Sequence, residues 1–393
     1  MKLPHCNSIL AVVAAVTQLA GSPAAVAGPN VFEARSGISV LALTTVTPNT
    51  VPREYLPHAE LTSLDFARRL ERQGVQVVRL PTNPLPLMQS DMEPRGKAID
   101  QVLEVADVFL RAGIAVIVDL HFWPPGGDAA RAKVFNDTAQ LESYKAAVRE
   151  LAIHMLRIPH PGIALELFNE PPACSSSSGM NWKQVQPSLI SDVRNHAPAL
   201  PLVVTGCGGQ LDGLLDLDGV DFRDQNIIYS FHFYEPFAYT HQSAFYGSAG
   251  YRIPYPPDPK VKLTDVLPSY DSVHPERFRY ANNDFKRYLV SGFSERDVFR
   301  RLSQVAAWAD SKRVPRNRIF MGEWGAVIGA APLGEAARAS ELRWLGDVRR
   351  AAVSLGFKDA FWLFPRQGGY DYDPDNHWLR DDVAQAIGLT SPR

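Results

Sequence analysis

Eight short apolar, β-branched segments alternate with helical patterns between residues 38 and 364. That alternation predicts an α/β fold, a (β/α)8 TIM barrel whose parallel strands close on themselves. The segments are apolar at successive positions rather than every other one, as strands covered on both faces must be. Polar and aromatic residues gather where the segments end, and long connections follow. A barrel with long βα loops on the face formed by its strand C-termini fits all three observations.

The strands read, in order, Ile38–Thr44, Val75–Leu80, Ala115–His121, Ile163–Phe168, Leu202–Thr205, Ile227–Tyr234, Ile319–Glu323 and Ala360–Phe364. Helices fill most intervals. Ile99, Val102, Leu103, Ala106 and Leu110 repeat at helical spacing and stop at Gly113. Tyr144, Val148, Leu151 and Met155 mark the next. Val298, Leu302, Val305 and Ala309 follow Ser294, whose Ser-x-x-Asp spacing to Asp297 suits an N-terminal cap. Leu345, Val348, Ala352 and Leu355 precede Gly356. Leu211–Asp221 carries little helical period. Residues 235–292 are rich in Pro and Tyr, including Tyr239, Tyr246, Tyr251, Tyr255, Tyr270 and Tyr280. They read as either a cleft wall or a decorative subdomain.

The 393 residues carry 40 Lys plus Arg against 42 Asp plus Glu, a formal net charge of −2. This balance lacks the basic face that nucleic acid or an anionic membrane surface would select. Residues 1–27 read as a cleavable signal peptide. Lys2 precedes an apolar run from Ile9 to Val16, and Ala25-Val26-Ala27 gives a small-x-small cleavage site. The run is too short to span a bilayer. Residues 28–393 then form one barrel domain, secreted or periplasmic, with no linker to a second domain and a monomeric state expected. Cys6 leaves with the signal. Cys174 and Cys207 remain, either as a disulfide or as two buried thiols.

The strand ends present Arg79, Asp119 with His121, Asn169 with Glu170, His232 with Tyr234, Glu323 and Trp362. Residues two apart on a strand share a face. Asp119 therefore points with His121, His232 with Tyr234, and Glu166 with Phe168 and Glu170. Buried charges are costly unless paired or used. Taken alone, each has a plainer reading: Arg79 as an ion-pair residue, the histidines and Trp362 as core. Glu166, deeper in the barrel, reads as structural, and as the substitute acid if Glu170 faces away. Glu170 and Glu323 stand on the fourth and seventh strands. Such a pair suits acid–base cleavage of a glycosidic bond, one group protonating the leaving oxygen and the other attacking carbon or activating water.

The motifs Leu167-Phe168-Asn169-Glu170-Pro171 and Gly322-Glu323-Trp324-Gly325 resemble those of glycoside hydrolase family 5, the cellulase family. Arg79, His121, His232-Phe233-Tyr234 and Trp362 fall in matching order, so the resemblance covers the chain from first strand to eighth and is poor in the long loop. It implies Glu170 as general acid/base, with a raised pKa, and Glu323 as an ionised nucleophile held by Arg79 and Tyr234. It also implies Asn169 at the sugar 2-hydroxyl, His121 and His232 lining the same subsite, and Trp362 facing the sugar ring. Trp123, Tyr239, His241, Trp324 and Tyr370 are further stacking candidates. The expected activity is a retaining, endo-acting β-1,4-glucanase on a polysaccharide or oligosaccharide, without cofactor or metal. Soluble or nascent chains are favoured over crystalline cellulose. A β-mannanase, an exo-β-glucanase or a transglycosylase of the same family is the alternative. A metal hydrolase would need a His-x-His cluster, and Phe122-Trp123 follows His121 instead. A sugar-binding protein on a dead barrel would not keep both glutamates.

Overall fold

The computed structural model describes residues 28–44, 55–122, 127–158, 161–172, 174, 180–242, 253–262, 283–326, 335–364, 372–373 and 378–390. Residues 1–27, expected to be a signal peptide, and Trp123, Tyr370 and Tyr246, Tyr251, Tyr270 and Tyr280 of the long loop lie outside them.

Eight parallel strands close into a barrel. They are β1 (Ser36–Val40), β2 (Val77–Thr82), β3 (Ala115–Leu120), β4 (Ile163–Glu166), β5 (Leu202–Gln210), β6 (Ile227–Phe233), β7 (Ile319–Trp324) and β8 (Lys358–Phe364). Each pairs with its sequence neighbour, and β1 pairs with β8 to seal the sheet. The main helices that follow the strands are α1 (Leu64–Arg72), α2 (Met92–Arg111), α3 (Thr138–Met155), α4 (Trp182–His196), α5 (Leu211–Leu215), α6 (Glu295–Lys312), α7 (Glu335–Ser354) and α8 (Asp381–Ala386), with a further helix, Gly127–Asn136, before α3 and a short one, Phe237–Thr240, before α6. The weak period after β5 yields only the five-residue α5. At α6 the Ser294–Asp297 capping box forms, satisfying backbone donors that a helix start leaves free.

The lower barrel interior is apolar: Val77, Ala115, Ile117, Ala164, Val203, Ile228, Phe320 and Ala360, closed from below by Val31 and Ala34. Phe320 fills space that the small alanines leave, the large-and-small complementarity close packing requires. Lys358, 2% exposed, donates through Nζ to Val31 O at 2.6 Å and ties this plug to β8. The outer face of the sheet is covered by the buried stripes of the helices, including Ile99, Val102 and Ala106 of α2 and Val298, Leu302 and Val305 of α6. With both faces covered, the polar groups of the site gather at the upper mouth.

The described parts of the 235–292 segment pack sideways. Tyr239, Tyr255 and Tyr288 are buried together, and the Tyr239 ring also lies tilted against Trp344 of α7. The Tyr239 hydroxyl meets Ser340 Oγ at 3.1 Å, and Tyr255 donates to Asp347 at 2.8 Å. These tyrosines anchor the loop to α7.

Candidate active site

Arg79, wholly buried in β2, organises the mouth. Its Nε and Nη2 donate to the two oxygens of Glu166 at 2.8 and 3.0 Å. Nη1 donates to Glu323 Oε1 at 2.8 Å, and Nη2 also reaches Asn169 Oδ1 at 2.8 Å and Asp119 Oδ2 at 2.9 Å. Only a guanidinium has donors enough to hold three carboxylates and an amide at once. Glu166 is thus the inward structural partner expected of it.

Parity holds where strands are regular. His121 Nδ1 lies 3.0 Å from Asp119 Oδ2. His232 and Tyr234 both reach inward carboxylates. Parity fails after Glu166, where β4 ends. Phe168 turns outward into a cluster with Phe122, Phe135, Tyr144 and Trp182, at ring separations of 5.3–5.5 Å. Asn169 turns inward in its place. Glu170 reaches the mouth through a backbone φ of +40°, a conformation side-chain-bearing residues seldom adopt. Gly209 permits this, because a Cβ there would lie 2.9 Å from Glu170 Cα and Cγ.

The two carboxylates face each other. One oxygen of Glu170, one of Glu323 and a ring nitrogen of His232 lie within 4.8 Å of one another. Glu323 is 4% exposed, with Tyr234 donating to Oε2 at 3.0 Å. Burial, and then the Glu323 charge, push the Tyr234 hydroxyl pKa up, so it stays a donor. Glu170 sits at the rim with its side chain 32% exposed, and His232 Nδ1 lies 2.8 Å from its Oε1.

The expected division of pKa values is corrected. Burial alone would raise Glu170, yet the His232 hydrogen bond and charge bring it down to about 2. Glu323 moves the other way, raised by burial against the opposing pull of His232 and Arg79. Both carboxylates lose water, but the His232 hydrogen bond and charge outweigh that cost at Glu170, whereas burial prevails at the deeper Glu323. Burial lowers His232, but the charge of Glu323 and the bond to Glu170 reverse it, and the net shift is upward. Both shifts favour a proton on His232 over one on Glu170. Burial lowers His121 to about 4, so its ring is neutral. Its Nδ1–H then donates to Asp119 while Nε2 accepts from Asn169 Nδ2 at 3.2 Å, which orients the Asn169 amide completely.

Trp362 stacks on His121 at 5.4 Å and 12°, with Arg79 5.8 Å from its ring. His241 lies edge-on to Tyr234 at 4.9 Å and stacks on Phe237, which is half exposed. Tyr239 and Trp324 are both 0% exposed, so neither is the sugar-stacking platform expected of it. The Trp324 ring packs on Phe361, and its Nε1–H donates to Asp359 at 3.3 Å. The alternation that put them near strand ends carries no information about what covers them. Cys174 and Cys207 form a disulfide with Cα atoms 5.5 Å apart, tying the loop after β4 to β5.

Sequence reading missed Gln210, whose Nε2 donates to Glu170 Oε1 at 2.8 Å. It closed β5 at Thr205, although Gly206-Cys207-Gly208-Gly209 signals a bend leading on to one more residue. Asp119, His121 and Glu323, or Glu170, His232 and Glu323, bring potential ligand atoms within 4.8 Å. The Arg79 guanidinium already pairs with Asp119 and Glu323 and supplies positive charge there.

A parallel barrel holding two opposed carboxylates, one paired with Arg and Tyr and the other with His at the rim, defines a barrel glycoside hydrolase. The sequence profile of Cellulase (glycosyl hydrolase family 5) matches residues 44–365, and the chain belongs to that family. Endoglucanase C of Acetivibrio thermocellus is 28% identical over 327 residues, 80% of this chain and 87% of that protein. Endoglucanase 3 of Fibrobacter succinogenes is 24% identical over 235 residues, 58% of this chain, which spans about a third (34%) of that protein. Among solved structures, endoglucanase Cel5A of Thermotoga maritima superposes with a TM-score of 0.64 at 18% identity, covering 91% of this chain and 98% of that one. A GH5-4 broad specificity endoglucanase from Bacteroides salanitronis gives 0.65 at 16%, covering 92% and 95%. These structural likenesses establish the fold.

Proposed function

We propose that the protein is a retaining, endo-acting β-1,4-glucanase with Glu323 as nucleophile and Glu170 as general acid/base. One observation carries this reading: oxygens of the two glutamates approach within 4.8 Å, too close for a water to attack between them. Inverting enzymes hold their carboxyls roughly 6.5–9.5 Å apart. Arg79 and Tyr234 each spend a donor on Glu323 and orient it. In the first step Glu323 bonds to the anomeric carbon as the glycosidic C–O bond breaks, and Glu170 gives its proton to the departing oxygen. In the second, Glu170 takes a proton from water, the water oxygen bonds to carbon, and Glu323 is released. Asn169, locked by Arg79 and His121, is the group for the 2-hydroxyl, and Trp362 with His121 makes one wall of the cleavage subsite.

The endo-β-1,4 assignment draws support from the relatives named endoglucanase. Export draws support from the charged, apolar and small-residue pattern of residues 1–27 and from the disulfide. The test is a panel of soluble β-1,4-glucan, β-mannan and β-1,3-glucan, with reducing ends counted, product lengths recorded and product anomers followed by NMR. Rapid shortening of β-1,4-glucan to mixed oligosaccharides, with the β-anomer formed first, is expected. First-formed α-product refutes the retaining mechanism. Release of single sugars or dimers alone refutes endo action, and faster cleavage of mannan reassigns the substrate.

A further inference from the structure

Glu170 Oε1 takes two donors, His232 Nδ1 and Gln210 Nε2, both at 2.8 Å. They differ in what a substrate can reach. His232 is 2% exposed, whereas Gln210 lies exposed at the rim. Gln210 comes there because β5 runs past Thr205 through three glycines and slips register against β6. The same segment is fastened to the Glu170 loop three times. Gly208 N–H donates to Pro171 O at 2.8 Å, Cys207 bonds to Cys174, and the bare Cα of Gly209 backs Glu170. Strand end and acid loop thus form one body, which aims the Gln210 amide at Glu170.

Resting on the reading of Glu170 as proton donor, we propose that Gln210 is its positioning residue. Its amide holds Glu170 Oε1 in the free enzyme and turns to a hydroxyl of the leaving-side sugar when substrate binds. A neutral N–H donor favours the carboxylate over the acid. A general acid works best with a pKa near the operating pH, well above the free site's value of about 2. His232 is enclosed and stays. Gln210 is the donor that a sugar hydroxyl can draw away. With that donor gone and the sugar excluding water from the carboxyl, the proton on His232 Nδ1 passes to Glu170 Oε1. This leaves a neutral imidazole beside a carboxylic acid. The ligand class is a β-linked oligosaccharide with a hydroxyl-bearing residue on the leaving side.

The test titrates Glu170 by carbon-13 NMR in the full chain, in a Glu323→Gln background that binds without turnover, free and with cellotetraose. Replacing Gln210 by Leu is expected to raise the free value by about half a pH unit or more, from the loss of one hydrogen bond to a charge. It should also shrink the rise that cellotetraose causes. Gln210→Glu, which places a like charge beside Glu170, should raise the free value further. An unchanged free titration in both variants overturns the positioning role. An equal ligand-induced rise with Gln and with Leu overturns the transfer of the amide. Glu170→Ala, assayed on aryl and on sugar leaving groups, checks the underlying assignment separately. Equal losses on both remove the acid role, whatever Gln210 does.

Discussion

Tyr234→Phe removes a single oxygen from the buried side of the site. The Tyr234 hydroxyl donates to Glu323 Oε2 at 3.0 Å, with Tyr234 7% and Glu323 4% exposed. The ring keeps its edge-on packing against His241 at 4.9 Å, so the void is one atom and the fold should hold. A hydrogen bond to a charged group contributes about 1.5–3 kcal/mol. At about 1.4 kcal/mol per tenfold in rate, the variant should lose roughly 10- to 150-fold in kcat/KM. The sign of the pH effect follows from the same bond. The donor favours ionised Glu323, and its loss adds to the upward push of burial. A nucleophile must be deprotonated, so the acidic limb of the kcat/KM profile should move to higher pH while the basic limb stays. The assay is initial rate on a soluble β-1,4-glucan at half-unit pH steps, with the melting temperature as the folding control. A loss under about threefold with an unmoved acidic limb would refute the claim that Tyr234 holds the nucleophile.

Glu323→Gln should abolish nearly all turnover and still bind oligosaccharide by calorimetry, and a variant keeping most activity reassigns the nucleophile. Gly209→Ala puts a Cβ 2.9 Å from Glu170 at a backbone φ of +73°. It should cost about 1–2 kcal/mol of stability and reduce kcat more than tenfold, seen by denaturant unfolding and rate; wild-type activity would show that Glu170 is not held from that side. Lys358→Met tests the barrel floor. Burial, then the nearby Arg35, lowers the Lys358 pKa from the ordinary 10.5 to about 7. A group that binds its proton less tightly folded than unfolded destabilises below the folded value, and stability recovers as pH rises toward the unfolded one. The full effect is bounded by about 5 kcal/mol. The methionine variant should therefore be more stable than wild type at pH 6, with the advantage shrinking by pH 9, where the lost bond to Val31 O counts against it. An equal difference at both pH values excludes a buried, titrating amine.

The eight strands, their order and the polar residues at their ends follow from local pattern alone. A strand covered on both faces must be apolar throughout, and a regular strand must alternate. Asp119 with His121 and His232 with Tyr234 obey that alternation. Tertiary structure decided what alternation cannot carry. Once β4 ends at Glu166, Phe168 goes to the outer core because an aromatic cluster awaits it, and Glu170 reaches the mouth only through a left-handed backbone backed by Gly209. Tyr239 and Trp324 lie under other segments, so their burial depends on residues about a hundred and about forty positions away. The opposite shifts of Glu170 and His232 depend on a hydrogen bond and charges between groups brought together from different strands. Periodicity is a property of neighbours along the chain. Desolvation and charge pairing are sums over neighbours in space, and only the closed barrel specifies them.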